Sequence, residues 1–142
     1  MLFRSVAFRA NVKIHQRMFY ALEALGKEAA ARPAIFNAMH QQNLALDDAK
    51  SQAKFLAPLG IDPIKYQEAY NSFGVVTKCT QAEKLSEAYR IDGVPCIGVA
   101  GRYLTSPSDA AKGLAQRLPE HELGQRALQI TEFLIQLART KV

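Results

Sequence analysis

The most constraining feature of this sequence is a succession of helix-type patterns between residues 12 and 90. In VKIHQRMFYALEALG, residues 12–26, apolar residues recur at steps of three and four, and a glycine ends the segment. This spacing places apolar side chains on one face of an α-helix, and a glycine just past the last turn is a common stop signal. Similar stripes continue as far as Tyr89 and predict five consecutive helices.

Capping residues and prolines predict where the later helices of this series begin. Pro33 is expected to open the second helix after a loose Ala-rich stretch, and Asp47 is expected to cap the third. Asp62 followed by Pro63 predicts the start of the fourth, because both residue types are typical of helix N-termini. Residues expected to face the core from the third and fourth helices include Leu56, Leu59, Tyr66, Tyr70 and Phe73.

Strand patterns occur only near the two ends of the chain. Residues 2–8, LFRSVAF, form a short apolar and β-branched run that predicts a strand. Later, the runs CIGV and RYL flank Ala100-Gly101, a pair that suits a two-residue hairpin turn. Ser106 or Ser108 can cap a short helix, and a striped segment at the carboxyl end predicts a terminal helix. The expected fold class is α/β, mostly helical, in the order β-α-α-α-α-α-β-β-α.

Composition and charge exclude several kinds of partner. The formal charge is +5, from 18 Lys and Arg against 13 Asp and Glu, and these charges are scattered singly. Because no basic cluster is interleaved with aromatic residues, we expect no nucleic-acid partner. No apolar run approaches the ~20 residues of a membrane span, so we expect no membrane insertion. The opening MLFRSVAFRANVK lacks the apolar stretch of a secretory signal peptide.

The cysteines and histidines do not form a recognisable metal or redox motif. Cys79 and Cys96 are 17 positions apart, which is neither the C-x-x-C spacing of a redox helix nor that of a zinc knuckle. The three histidines are also far apart, so we expect neither a metal nor another cofactor. Cys79 lies on the apolar stripe of its helix, where a thiol behaves as a small hydrophobic side chain. A disulfide between the two cysteines stays open as an alternative.

Pro95 stands where the chain should enter a buried strand. A proline inside a central strand removes a ladder hydrogen bond, so it belongs at the first residue of a strand, at an edge or at a bulge. A bond before proline is also the one peptide bond that adopts the cis form at modest cost, about 0.5–1 kcal/mol. A cis Val94–Pro95 bond would free the Val94 backbone to pair with an extended peptide, whereas a trans bond would merely start the strand.

The order of these motifs resembles the DsbA-type thiol:disulfide oxidoreductases of the thioredoxin superfamily. The segments that carry the resemblance are IFNAMH at 35–40, YNSF at 70–73, AYRIDGVP at 88–95 and GRYLTSP at 101–107. The resemblance implies a thioredoxin-like portion made of residues 1–9 and 93–142, a helical insertion over 10–92, and a cis Val94–Pro95 bond. It also implies a periplasmic location and extended, thiol-containing polypeptide substrates.

The same resemblance implies which residues bind the substrate. These residues are Val94, Pro95, Thr105, Ser106 and Pro107. The family's C-x-x-C motif is absent from the sequence, so the chain looks like the carboxyl-terminal portion of such a protein, and no catalytic residue is carried over. Cys96 follows the proline loop and would lie near the family's redox centre, which makes it a possible redox residue.

Three functions stay open at this point. The chain is a DsbA-like disulfide oxidoreductase or a truncated piece of one, a glutathione-dependent relative of the kappa-class transferase or chromene-carboxylate isomerase type, or a non-catalytic peptide-binding module. In the fold that the resemblance implies, a strand between the opening strand and the hairpin is missing. Because unpaired strand edges pair with other chains, we expect an intertwined homodimer or a poorly folded chain.

Overall fold

The computed structural model describes residues 4–7 and 10–140, and that part of the chain is mostly helical. The helices are α1 Ala10–Ala24, α2 Glu28–His40, α3 Ala49–Leu56, α4 Pro63–Asn71, α5 Phe73–Ala88, α6 Pro107–Ala110 and α7 Glu120–Thr140. A single 3-10 turn, Ala57–Leu59, follows α3, and the strands are β1 Ile97–Val99 and β2 Tyr103–Thr105. The five consecutive helices, the hairpin and the terminal helix are confirmed. The chain divides into two compact units, residues 1–86 and 87–142.

The predicted opening strand is not present at residues 4–7, and its remaining residues lie outside the described part of the chain. The Ser5 carbonyl accepts hydrogen bonds from the Gln16 amide at 2.6 Å and from the Tyr20 hydroxyl at 3.4 Å. Both side chains belong to α1 and are buried. The Ser5 carbonyl is therefore satisfied by helix side chains rather than by a neighbouring strand.

The core of the first unit lies among α1, α2, α3 and α4. Its fully buried members include Ala21, Leu22, Leu56 and Tyr66. The start of α4 is as predicted, because the Asp62 carboxylate accepts the Ile64 and Lys65 N–H groups and Pro63 is the first helical residue.

The cap of α3 is Asp48 rather than the predicted Asp47. The Asp48 carboxylate accepts the N–H groups of Lys50 and Ser51 at 2.7 and 2.8 Å, and these hydrogen bonds lower the pKa of the carboxyl group. The neighbouring Ser51 hydroxyl completes a capping box with the Asp48 backbone.

Two further helix predictions are wrong, for local reasons. Pro33 lies inside α2, which begins at Glu28, because the alanines before it favour helix strongly and Ala31 is buried. Phe73 does not face the core and is 86% exposed. Ser72 takes an extended conformation that ends α4, so Phe73 starts α5 and leaves the buried face of α4.

The second unit contains an antiparallel hairpin and the two carboxyl-terminal helices. Ile97 is opposite Thr105 and Val99 is opposite Tyr103. Ala100 and Gly101 have φ values of 53° and 70°, and positive φ at both central residues is the requirement of a type I′ turn. Arg102 is an additional residue in the loop, so the connection is one residue longer than predicted. In α7 the predicted apolar stripe is less exposed than the rest of the helix: Ala127 is buried, and the other members, Leu123, Ile130, Leu134 and Leu137, are half-buried.

Candidate functional site

The loop between α5 and β1 contains the predicted proline site. Arg90, with φ of 52°, directs the chain away from α5, and its N–H donates to the Glu87 carbonyl at 2.9 Å. The Val94–Pro95 peptide bond is cis, the isomer that the resemblance implied. Val94 is 65% exposed, and within the described residues neither its N–H nor its carbonyl makes a hydrogen bond. The loop thus leaves the backbone N–H and carbonyl of Val94 unpaired within the described residues.

The Cys96 thiol belongs to the same loop and is held in its protonated form. Its Sγ donates to the Gly93 carbonyl at 3.0 Å. Burial raises the pKa of the Cys96 thiol, and the carboxylates of Asp109 and Asp92 raise it further. Because the thiolate is the nucleophilic form, this environment is unfavourable for a redox role of Cys96.

The second cysteine is no better placed for redox chemistry. Cys79 lies on α5 against the small apolar cluster that contains Tyr20, Val75 and Ala82. Burial raises the pKa of its thiol as well. Both cysteines are free, so the disulfide alternative is wrong. The chain therefore holds two thiols whose surroundings oppose ionisation.

The second predicted part of the site follows β2. Thr105 and Ser106 are buried, and Pro107 is half-buried. The Ser106 hydroxyl caps α6: it accepts the Asp109 N–H at 3.0 Å and donates to the Asp109 carboxylate at 2.7 Å. A 2.6 Å bond from Lys112, together with that from Ser106, lowers the pKa of Asp109. The Thr105 hydroxyl is buried without a partner among the described residues.

Two contacts that support the site were missed at the sequence level. The Tyr89 ring lies so close to β1 that a Cβ atom at Gly98 would be 3.0 Å from Tyr89 Cζ. An isolated glycine within a strand is a recognised sign of such a close approach. The role of Asp109 was also missed, although its spacing from Ser106 matches a helix-capping pattern.

Among the described residues, no group of three or more His, Cys, Asp and Glu side chains is placed to hold a metal ion. No described helix is long and apolar enough to cross a membrane.

The described fold and site are typical of thioredoxin-like proteins, in which a proline loop leads into a hairpin and a final helix. A family model described as "DSBA-like thioredoxin domain" matches residues 1–119. The chain belongs to this family, and its fold is the DsbA-like thioredoxin fold.

Individual relatives agree with this assignment. The thiol:disulfide interchange protein DsbA of Burkholderia cepacia is 45% identical over 115 residues, which are 80% of this chain and 54% of the relative. The DsbA of Azotobacter vinelandii is 36% identical over 127 residues, or 89% of this chain and 54% of the relative. The crystal structure of Pseudomonas aeruginosa DsbA aligns with a TM-score of 0.81 and 29% identity, covering 96% of this chain and 65% of that one. The chain spans about half the length of these curated relatives.

Proposed function

We propose that this chain forms the substrate-binding part of a DsbA-type thiol:disulfide interchange protein. The loop at Val94 and Pro95, with the backbone of Thr105, Ser106 and Pro107, receives an extended polypeptide that carries a thiol. The observation that carries the proposal is the exposed Val94, whose backbone groups make no hydrogen bond within the described residues. It occurs in a chain whose family relatives are named for disulfide interchange.

The mechanism of binding is the addition of a strand. The N–H and carbonyl of Val94 pair with the main chain of the incoming peptide, which gives affinity without requiring one sequence. The exposed Val94 side chain then lies beside the bound segment. The peptide's thiol is held in a fixed position relative to the loop, as an exchange reaction requires.

The attacking sulfur is not supplied by the two cysteines of this chain. Disulfide interchange begins when a thiolate attacks a disulfide sulfur and forms a mixed disulfide, while the other sulfur leaves as a thiolate. Burial raises the pKa of both Cys79 and Cys96, which disfavours the attacking form. The sequence contains no C-x-x-C pair. The residues of this chain bind and orient the substrate.

The direct test is binding of the peptide PWATCDS, which a DsbA of Proteus mirabilis holds non-covalently. We expect the chain to bind it and Val94→Asp to bind about tenfold more weakly, because the new carboxylate is desolvated in the complex. Val76→Asp, on an exposed valine of α5, is the matched control and should bind as the unmodified chain does. Isothermal titration calorimetry measures all three affinities.

Further outcomes separate the alternative functions. Equal peptide affinity for Val94→Asp and the unmodified chain would contradict the proposed site. Retention of the chain on immobilised glutathione, without peptide binding, would instead support the glutathione-dependent alternative. Peptide binding combined with rapid insulin reduction would show that Cys79 or Cys96 is redox-active after all.

We also propose the domain division and the location that the resemblance implies. Residues 1–9 and 93–142 form the thioredoxin-like portion, and residues 10–92 form the helical insertion. The protein acts in the periplasm, where polypeptide thiols are oxidised to disulfides. Fractionation of cells that produce the full protein, followed by immunodetection, tests the location, and detection confined to the cytoplasm would contradict it.

We propose, in addition, that the isolated chain forms a homodimer. A hairpin of two three-residue strands is marginal by itself, and Leu128 and Phe133 of α7 are 59% and 65% exposed. Light scattering should give twice the chain mass of 15.7 kDa. Phe133→Lys should shift the mass towards one chain, whereas Phe73→Lys, on a comparably exposed aromatic residue, should not. A monomer that unfolds cooperatively would contradict the dimer.

A further inference from the structure

The thiol of Cys96 closes the loop that carries Val94. Its Sγ lies 3.0 Å from the Gly93 carbonyl oxygen and donates to it, so the contact spans the four residues 93–96. A thiol is a weak hydrogen-bond donor, but within the described residues this is the hydrogen bond made by the Gly93 carbonyl. The loop is thus tied from its carboxyl end back to its amino end.

Cys96, the donor in this contact, directly precedes the hairpin. Ile97, next to Cys96, pairs with Thr105 in the hairpin. Gly98 lies so close to the Tyr89 ring that a Cβ atom there would be 3.0 Å from Tyr89 Cζ. These contacts restrict the position of Cys96, and the thiol passes that restriction on to Gly93. Val94, in contrast, has no hydrogen bond of its own among the described residues.

We propose that Cys96 is a positioning residue whose thiol holds the Gly93 carbonyl and thereby orients the Val94 backbone towards a bound peptide. The proposal rests on the proposed function, since it concerns the same loop. It assigns Cys96 a role in binding geometry instead of the redox role considered from the sequence.

The protonation state of the thiol agrees with this role. Only the protonated form has a hydrogen to donate. Burial, followed by the Asp109 and Asp92 carboxylates, raises the pKa of Cys96 and keeps that hydrogen in place at neutral pH. The same conditions that make a poor nucleophile make a persistent donor.

The test compares Cys96→Ala with Cys96→Ser in the full chain. Alanine removes the donor, and we expect affinity for PWATCDS to fall about threefold, the value of a modest hydrogen bond. Serine keeps a donor in the same place and should restore the affinity of the unmodified chain. Cys79→Ser removes the other thiol and is the control for loss of a cysteine; it should bind normally.

A second readout does not depend on peptide binding. The NMR order parameter of the Val94 amide, which reports how tightly the backbone is held, should fall in the free chain of Cys96→Ala and stay unchanged in Cys96→Ser. An unchanged order parameter at Val94 in Cys96→Ala, or equal loss of peptide affinity in both Cys96 variants, would overturn the positioning role. If no variant binds peptide, the proposed function fails, while the order parameters still decide whether the thiol holds the loop.

Discussion

Replacing Gln52 with leucine is expected to lower the free energy of unfolding by about 3 kcal/mol. Gln52 is completely buried; its amide donates to the Leu46 carbonyl at 2.8 Å, and its oxygen accepts from the Tyr66 hydroxyl at 2.6 Å. Leucine would leave both of these groups buried without a partner, at about 1–3 kcal/mol each. Urea unfolding followed by far-ultraviolet circular dichroism measures the loss.

The position of Leu46 adds to this expectation. Leu46 is buried at a φ of 46°, in the left-handed region that a branched side chain rarely adopts. The hydrogen bond from Gln52 holds its carbonyl in that conformation. Burial raises the pKa of Tyr66 above its ordinary value, so its hydroxyl stays a donor at neutral pH.

Matched variants separate this network from a general effect of losing a glutamine. Gln67 is exposed on α4, and Gln67→Leu should change stability by less than about 0.5 kcal/mol. Adding Tyr66→Phe to Gln52→Leu should cost less than the sum of the two single changes, because the hydroxyl that lost its partner is gone. Similar losses for Gln52→Leu and Gln67→Leu would contradict the buried network.

Truncation of Leu56 to alanine is the second change with a large expected effect. Leu56 has no exposed surface and belongs to the core formed by α1, α2, α3 and α4. Removing a fully buried leucine side chain leaves a cavity and costs about 3 kcal/mol. The same urea titration measures this loss.

Leu59 supplies the control, because it is a leucine only three residues further along. It is 44% exposed, and Leu59→Ala should cost less than about 1 kcal/mol. A loss for Leu59→Ala as large as that for Leu56→Ala would show that the two residues are packed alike.

Leu56 and Leu59 also show where the helical periodicity of the sequence no longer predicts burial. Leu56 and Leu59 were expected on one face of a single helix. α3 ends at Leu56, and the next residues form a 3-10 turn with Pro58 near its start. The change in helical repeat turns Leu59 out of the core. Periodicity assumes an uninterrupted helix, and a short turn after Leu56 is enough to invalidate it.

The candidate site was predictable to different extents at its different residues. Val94 and Pro95 became candidates through the resemblance, and the order of the surrounding motifs indicated the family correctly. Ser106 was one of the two predicted caps of the short helix, but the bonds that the Asp109 carboxylate accepts from Ser106 and Lys112, and the burial of Thr105, were not predicted. Those details depend on how β2 passes into α6, which residue types alone do not specify.

Local rules predicted the succession of helices, the cap at Asp62 and the position of the hairpin, and the resemblance carried by the ordered motifs indicated the family. The helices, the cap and the hairpin depend on contacts between residues close together in the chain, which the order of side chains determines directly. Tertiary structure alone decided that Gln52 joins Leu46 to Tyr66, that Tyr89 covers Gly98, and that the Cys96 thiol is a protonated donor. Burial, exposure and pKa depend on neighbours supplied by other segments, and a pattern along one segment does not contain them.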